Sequence, residues 1–257
     1  MEHTELSTRT LPETESAPAV RSGNRVNMET LLTLEHGDHL TRAEFECRYH
    51  AMPWVKKAEL IEGRVYMGSP VRYQSHAEPH GIIMGLLMLY RVATPGTSSG
   101  DNGTVRLDQD NEPQPDVILR IDEACGGQSS VSGEDYVSGA PELVVEVASS
   151  TASYDLHEKK NVYRRNGVRE YIVWRVLDGE LDWFRLENEA YVRVAADENG
   201  VIESAVFPGL RLAVTKLLAD ETAAVLAELQ AGLQSEAHAR FVSALAARRA
   251  ERETEGK

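Results

Sequence analysis

Pro141-Glu142-Leu143-Val144-Val145-Glu146-Val147 is a near-continuous apolar run that carries one carboxylate in its interior. A strand apolar on both faces belongs at the centre of a sheet covered from both sides. Val144, Glu146 and Ala148 share one face of such a strand, and Leu143, Val145 and Val147 share the other. Glu146 therefore sits among apolar neighbours, where an acid is costly to bury unless a partner compensates for it. Upstream, Pro115-Asp116-Val117-Ile118 repeats the pattern with a second acid near the start of a second apolar strand. Downstream, a helix from Asp155 to Asn166 carries Lys159 and Lys160.

Two carboxylates held close together repel unless a cation or a proton lies between them. Mg²⁺ suits such a pair, because it prefers oxygen ligands and commonly takes only one or two protein carboxylates. Asp116 and Glu146 are the expected ligands, with the backbone carbonyl of Val147 as a further one. On a helical projection Lys159 falls within the buried stripe of Leu156, Val162 and Tyr163, while Lys160 lies on its flank. An inward Lys159 is placed to orient an attacking water and to offset charge in a phosphodiester transition state. The bland alternatives are a structural salt bridge at Glu146, an ordinary strand-entry Asp116 and a snorkelling lysine.

Around these segments the chain reads as alternating elements. Residues 1–27 are polar and aperiodic, and are expected to form a disordered leader. Thr41 is placed to cap a helix that Pro53 stops. Ala58 to Met67 reads as a hairpin turning at Glu62-Gly63. Helical spacing runs from about Ala77 to Val92, and a strand is expected around Thr104 to Leu107. The Gly- and Ser-rich stretch Cys125 to Gly139 reads as a long loop. Glu170–Val176, Glu180–Leu186 and Tyr191–Ala195 read as strands, and Leu210–Val214 as one that closes the sheet. The expected fold is α/β (α+β), a domain over 28–215 with a helical tail over 216–257. Leu217, Leu218, Val225, Leu226 and Leu229 form a stripe on that tail that calls for cover, either by the core or across a homodimer.

Composition sets limits. The 257 residues are 42% apolar, with no run long enough for a membrane span and no apolar leader segment. Cys47 and Cys125 have no ligand-like spacing, so a cytoplasmic protein with free thiols is expected. The formal net charge of −14 opposes non-specific attraction to nucleic acid. Between Glu158 and Arg175 the sign reverses locally, with six basic residues against two acidic ones. There is no phosphate-binding GxxxxGK[ST] loop, no HExxH and no zinc spacing.

The order Gln114-Pro115-Asp116, then Gly139 to Val147, Asp155 to Tyr163 and Gly167-Val168-Arg169-Glu170-Tyr171 resembles the Uma-two family of restriction endonucleases in the PD-(D/E)XK nuclease superfamily. The likeness runs from about Thr41 to Val214. It implies a restriction-endonuclease-like core, a mixed sheet flanked by helices, with DNA as substrate and Mg²⁺ (or Mn²⁺) as cofactor. Asp116 matches the family's metal-binding acid and Glu146 its second acid. Ala148 stands where the superfamily lysine usually falls, and Lys159 aligns with a lysine moved to the following helix. Glu59 matches an upstream acid, although a surface-hairpin role is the alternative. A histidine opens the first long helix in this family, and His76 and His80 both fit. Arg64 replaces an acid common in this family after the glycine that stands here at Gly63. The resemblance thus implies a Mg²⁺-dependent DNA endonuclease with Asp116, Glu146, Lys159 and Glu59 in its site. The competing reading is a weak or inactive nuclease-fold module serving nucleic-acid association or oligomerisation. A third is a metal-dependent hydrolase of another phosphate ester.

Overall fold

The computed structural model describes residues 32–255, so the leader expected over 1–27 lies outside the described residues. Helix α1 (Arg42–His50) begins at Thr41, whose hydroxyl accepts from Glu44 N at 3.4 Å. Strands β1 (Ala58–Ile61) and β2 (Arg64–Met67) form an antiparallel hairpin. Its two turn residues, Glu62 and Gly63, both have positive φ (52° and 70°), as the tightest hairpin turns require. A π turn over Tyr73–Ala77 leads into α2 (Glu78–Ala93). Strands β3 (Thr97–Asp101), β4 (Val105–Arg106), β5 (Val117–Ile121), β6 (Ser130–Val131), β7 (Val137–Ser138) and β8 (Leu143–Ala148) follow. After β8 come α3 (Ala152–Tyr154), a π turn over Asp155–Lys159 and α4 (Lys160–Arg165). Gly167 then closes the helix with φ 83°, a conformation that glycine adopts without a Cβ clash.

Strands β9 (Glu170–Arg175), β10 (Glu180–Glu187) and β11 (Ala190–Arg193) complete the main sheet. Its order is β11-β10-β9-β8-β5-β3, with β8 and β9 parallel and the other neighbours antiparallel. The fold is thus mixed α/β, with β8 in the interior of the sheet. Leu143, Val145 and Val147 face a core shared with Ile83, Leu87 and Tyr90 of α2, while Val144 and Ala148 face Tyr163 and Val168 on the other side. All six residues of β8 are buried, which is why the run contains almost nothing polar.

Several local expectations are revised. Cys125–Gly139 is not a bare loop: it holds β6 and β7, which form a small three-stranded sheet with β4. Strands of two residues are too short to leave a periodic signal. Strand β13 (Arg211–Ala213) does not close the main sheet but pairs with β12 (Val201–Glu203) in a separate ribbon. The helix expected from Asp155 is interrupted by its π turn. The strand holding Asp116 begins one residue later, because the Asp116 carboxylate, rather than its backbone, accepts from Val147 N at 2.8 Å.

The tail forms α5 (Val214–Leu218), α6 (Thr222–Leu233) and α7 (Glu236–Glu255). Ser235 Oγ accepts from His238 N at 3.2 Å and caps α7. Leu217, Val225, Leu229 and Leu245 are buried in the core on the α2 side of the sheet. No helix among the described residues is long and apolar enough to cross a membrane.

Candidate active site

Register decides the centre of the site. Val117 pairs with Val145 and Ile118 with Val144. Continuing that antiparallel register by one residue sets Asp116 opposite Glu146, on the same face of the sheet. Both are buried, as are Glu59 and Lys159. The hairpin brings Glu59 in by docking on the segment before Asp116: Leu60 and Glu112 exchange backbone hydrogen bonds, and Gln114 N donates to Glu59 Oε1 at 2.8 Å.

Lys159 links the acids. Its Nζ lies 3.0 Å from Glu146 Oε1, 2.9 Å from Glu59 Oε1 and 4.0 Å from Asp155 Oδ1. The Tyr163 hydroxyl donates to the same Glu146 oxygen at 2.8 Å. On the other flank, Asp116 Oδ1 lies 3.4 Å from Lys57 Nζ and 3.5 Å from His76 Nε2. Both π turns of the described residues deliver a side chain here, Lys159 from one and His76 from the other; such local widenings of a helix often mark functional positions.

The two histidines separate by role. His76 Nδ1 donates to the Val147 carbonyl at 2.8 Å and turns its other nitrogen to the Asp116 carboxylate. His80 Nε2 donates to the Asp116 carbonyl at 2.9 Å, with its ring stacked parallel to that of His76. His76 thus addresses the acid itself and His80 only its backbone. The Val147 carbonyl, expected as a metal ligand, is engaged by His76 and keeps one free lone pair.

Electrostatics divide the acids. Burial pushes the Glu146 carboxyl up to about 8; Lys159 opposes that rise, while Asp116, Asp155 and Glu59 add to it. Burial also raises Asp155. At Asp116 burial acts in the same direction, but His76, Lys57 and the Val147 N–H outweigh it and hold the acid well below the usual carboxylate range. Burial works against the Lys159 charge, yet Glu146, Glu59 and Asp155 keep it well above the usual lysine range. The hydrogen bond to Asp116 likewise raises His76, against its burial.

Four carboxyl groups (Glu59, Asp116, Glu146, Asp155) therefore face two ammonium groups (Lys57, Lys159). An all-oxygen donor set in which carboxyl groups outnumber ammonium groups fits a hard divalent cation. Among the described residues no three His, Cys, Asp or Glu side chains are grouped to hold an ion by themselves. The set suits an ion that takes two carboxylates and keeps most of its waters.

Four contributors leave little trace in sequence. Lys57 is an ordinary residue before a strand, and Tyr163 an ordinary aromatic on a helix. Asp155 reads only as a helix start. His76 becomes distinct from His80 only once the π turn is known. The i, i+4 pairing of Asp155 with Lys159 is the one local signal for any of them.

Residues 43–215, from α1 through β13, match the Uma2 family, described as "Putative restriction endonuclease". The match spans more than half of the chain, which therefore belongs to this family. Among solved structures the chain is similar to a crystal structure from Anabaena variabilis ATCC 29413, titled a "putative nuclease belonging to DUF820". That similarity has 10% identity and a TM-score of 0.46, and covers 67% of this chain and 90% of that one. No curated protein matches the chain.

Proposed function

We propose that this chain is a Mg²⁺-dependent DNA endonuclease, with Mn²⁺ able to substitute, acting in the cytoplasm. The observation that carries the reading is the surplus of buried carboxylates around Lys159, with Asp116 set opposite Glu146. Asp116 and Glu146 would hold the ion, and Glu59 would contact it or its waters. Bound there, the ion supplies a Lewis acid and a water of lowered pKa. Asp116 is already ionised, oriented by His76, Lys57 and the Val147 N–H. Burial disfavours the charged form of Glu146, a cost that a cation held between it and Asp116 would offset, and the Tyr163 hydroxyl fixes its orientation.

Lys159 stays protonated, so its part is not that of a general base. It is a fixed cation that donates hydrogen bonds to an attacking water or to a phosphoryl oxygen. The hydrolysis then breaks one P–O bond and adds the elements of water across it.

The test is incubation of supercoiled plasmid and single-stranded DNA with the protein, with and without Mg²⁺ or Mn²⁺. Nicking or linearisation that needs the metal and vanishes in Asp116→Asn supports the reading. DNA binding without cleavage would favour the alternative of a nuclease-fold association module.

A further inference from the structure

The hairpin β1–β2 opens beside Asp116, and the chain enters and leaves it through two segments without a single acid. These are residues 47–58 and 63–77, in a chain that carries 41 Asp and Glu. They run side by side at the open end: Ala58 pairs with Met67, and Gly68 N donates to Lys57 O at 3.0 Å. Each sends one side chain to the same oxygen of Asp116, Lys57 from the first and His76 from the second.

Three residues before each of these stands an aromatic side chain turned to solvent. Trp54 is 68% exposed and Tyr73 is 69% exposed, with Val71 at 65% beside the latter. The other two tryptophans, Trp174 and Trp183, are buried. Three residues of chain span at most about 10 Å, so the backbone of Trp54 lies within that distance of Lys57 and the backbone of Tyr73 within that distance of His76. Lys56 and Arg72, also exposed, neighbour them in sequence.

We infer that Trp54 and Tyr73 form a stacking rim for unpaired bases of single-stranded DNA, with Lys56 and Arg72 on its phosphates. The inference rests on the nuclease reading for the identity of the polymer and adds its strandedness. Exposed aromatic faces bind any unpaired base by stacking, and nearby cations track the backbone. A duplex hides its base faces and offers only phosphates, which a chain of net charge −14 attracts poorly. Local stacking, with Lys56 and Arg72 beside it, is the attraction this surface can provide. The rim thus selects single strands, or duplex ends and bubbles where strands part.

The test is fluorescence anisotropy of labelled oligomers with the full chain in chelator, so that cleavage plays no part. A thymidine oligomer should bind more tightly than a duplex of the same length and should quench tryptophan emission. Trp54→Ala and Tyr73→Ala should each weaken that binding about tenfold, with Trp54→Phe retaining most of it. Equal affinity for duplex and single strand, unchanged binding in both alanine variants, or tighter binding of a uridine oligomer would each overturn the proposal. Cleavage with Mg²⁺ is scored separately. Stacking without cleavage leaves the rim standing and removes the nuclease reading; cleavage without a single-strand preference does the reverse.

Discussion

Two ionic clusters in this molecule crowd carboxylates around a cation, and they are built to different ends. In one, Arg106 Nε lies 2.7 Å from Glu46 and 3.8 Å from Glu112, its guanidinium also pairs with Glu134, and it lies over the Tyr136 ring at 4.5 Å. Those acids come from α1, from the segment before β5 and from the turn between β6 and β7. One planar fork thereby ties three parts of the chain together. In the other, Lys159 joins Glu59 and Glu146, and Asp116 turns to partners that reach solvent: the Lys57 side chain is 31% exposed and that of His76 22%. Glu112 and Glu146 are both pushed up to about 8, chiefly by burial. A raised carboxyl alone therefore does not mark a site. What differs is that the acids around Arg106 converge on one guanidinium, whereas Asp116 and Glu146 lie opposite each other and pair with different cations.

That contrast predicts a double dissociation. Glu146→Gln should lower cleavage by about a hundredfold while metal-free stability is kept, because the amide is isosteric with the protonated carboxyl that burial favours. Asp116→Asn should lose activity to a similar degree but also lose stability, since His76 and Lys57 favour the ionised acid. Arg106→Met should do the opposite of Glu146→Gln. It should destabilise the fold by about 1–3 kcal/mol, because the buried Glu112 loses its partner, with cleavage per folded molecule retained. Urea midpoints and plasmid nicking rates, measured on the same preparations, separate the two patterns.

A smaller effect concerns pH. A carboxyl whose folded value lies near 8, above its unfolded 4.5, makes the folded state bind the proton more tightly. Its stabilisation is full below the unfolded value and is lost as pH rises through about 8. Glu112→Gln and Glu146→Gln should each flatten the fall in metal-free stability across that window, followed by thermal midpoints from pH 5 to 9. Only Glu146→Gln should also abolish the rise in midpoint that Mg²⁺ produces, a rise that in wild type should grow with pH. Smallest of all, Tyr163→Phe should slow cleavage about tenfold through a looser Glu146, with a stability loss near 1 kcal/mol, read from turnover and urea midpoints.

Legibility in sequence followed the range of the interactions. The β8 run and its acid stand out because a strand covered on both faces must be apolar, and Asp116 because it opens the next such run. Lys159 stands on the inward side of an ideal helical projection, and the π turn leaves it inward because Glu146 and Glu59 hold it there. Glu59 was ambiguous for a physical reason. Whether the hairpin faces water or Gln114 depends on a docking contact that leaves no local signature. Lys57 and Tyr163 gained their roles only through register. The tail stripe calls for cover by the core or by a second copy; Leu217, Val225 and Leu229 are buried in this chain's own core, Leu226 is half-buried and Leu218 is exposed.

The most direct test of the account is calorimetric titration of Mn²⁺ into metal-free protein at pH 8, comparing wild type, Glu146→Gln and Glu112→Gln. Wild type and Glu112→Gln should each bind the ion with the same affinity, and Glu146→Gln should lose that binding. Absence of binding in wild type, or its equal survival in Glu146→Gln, would contradict the claim that the acids around Lys159 are kept for a cation.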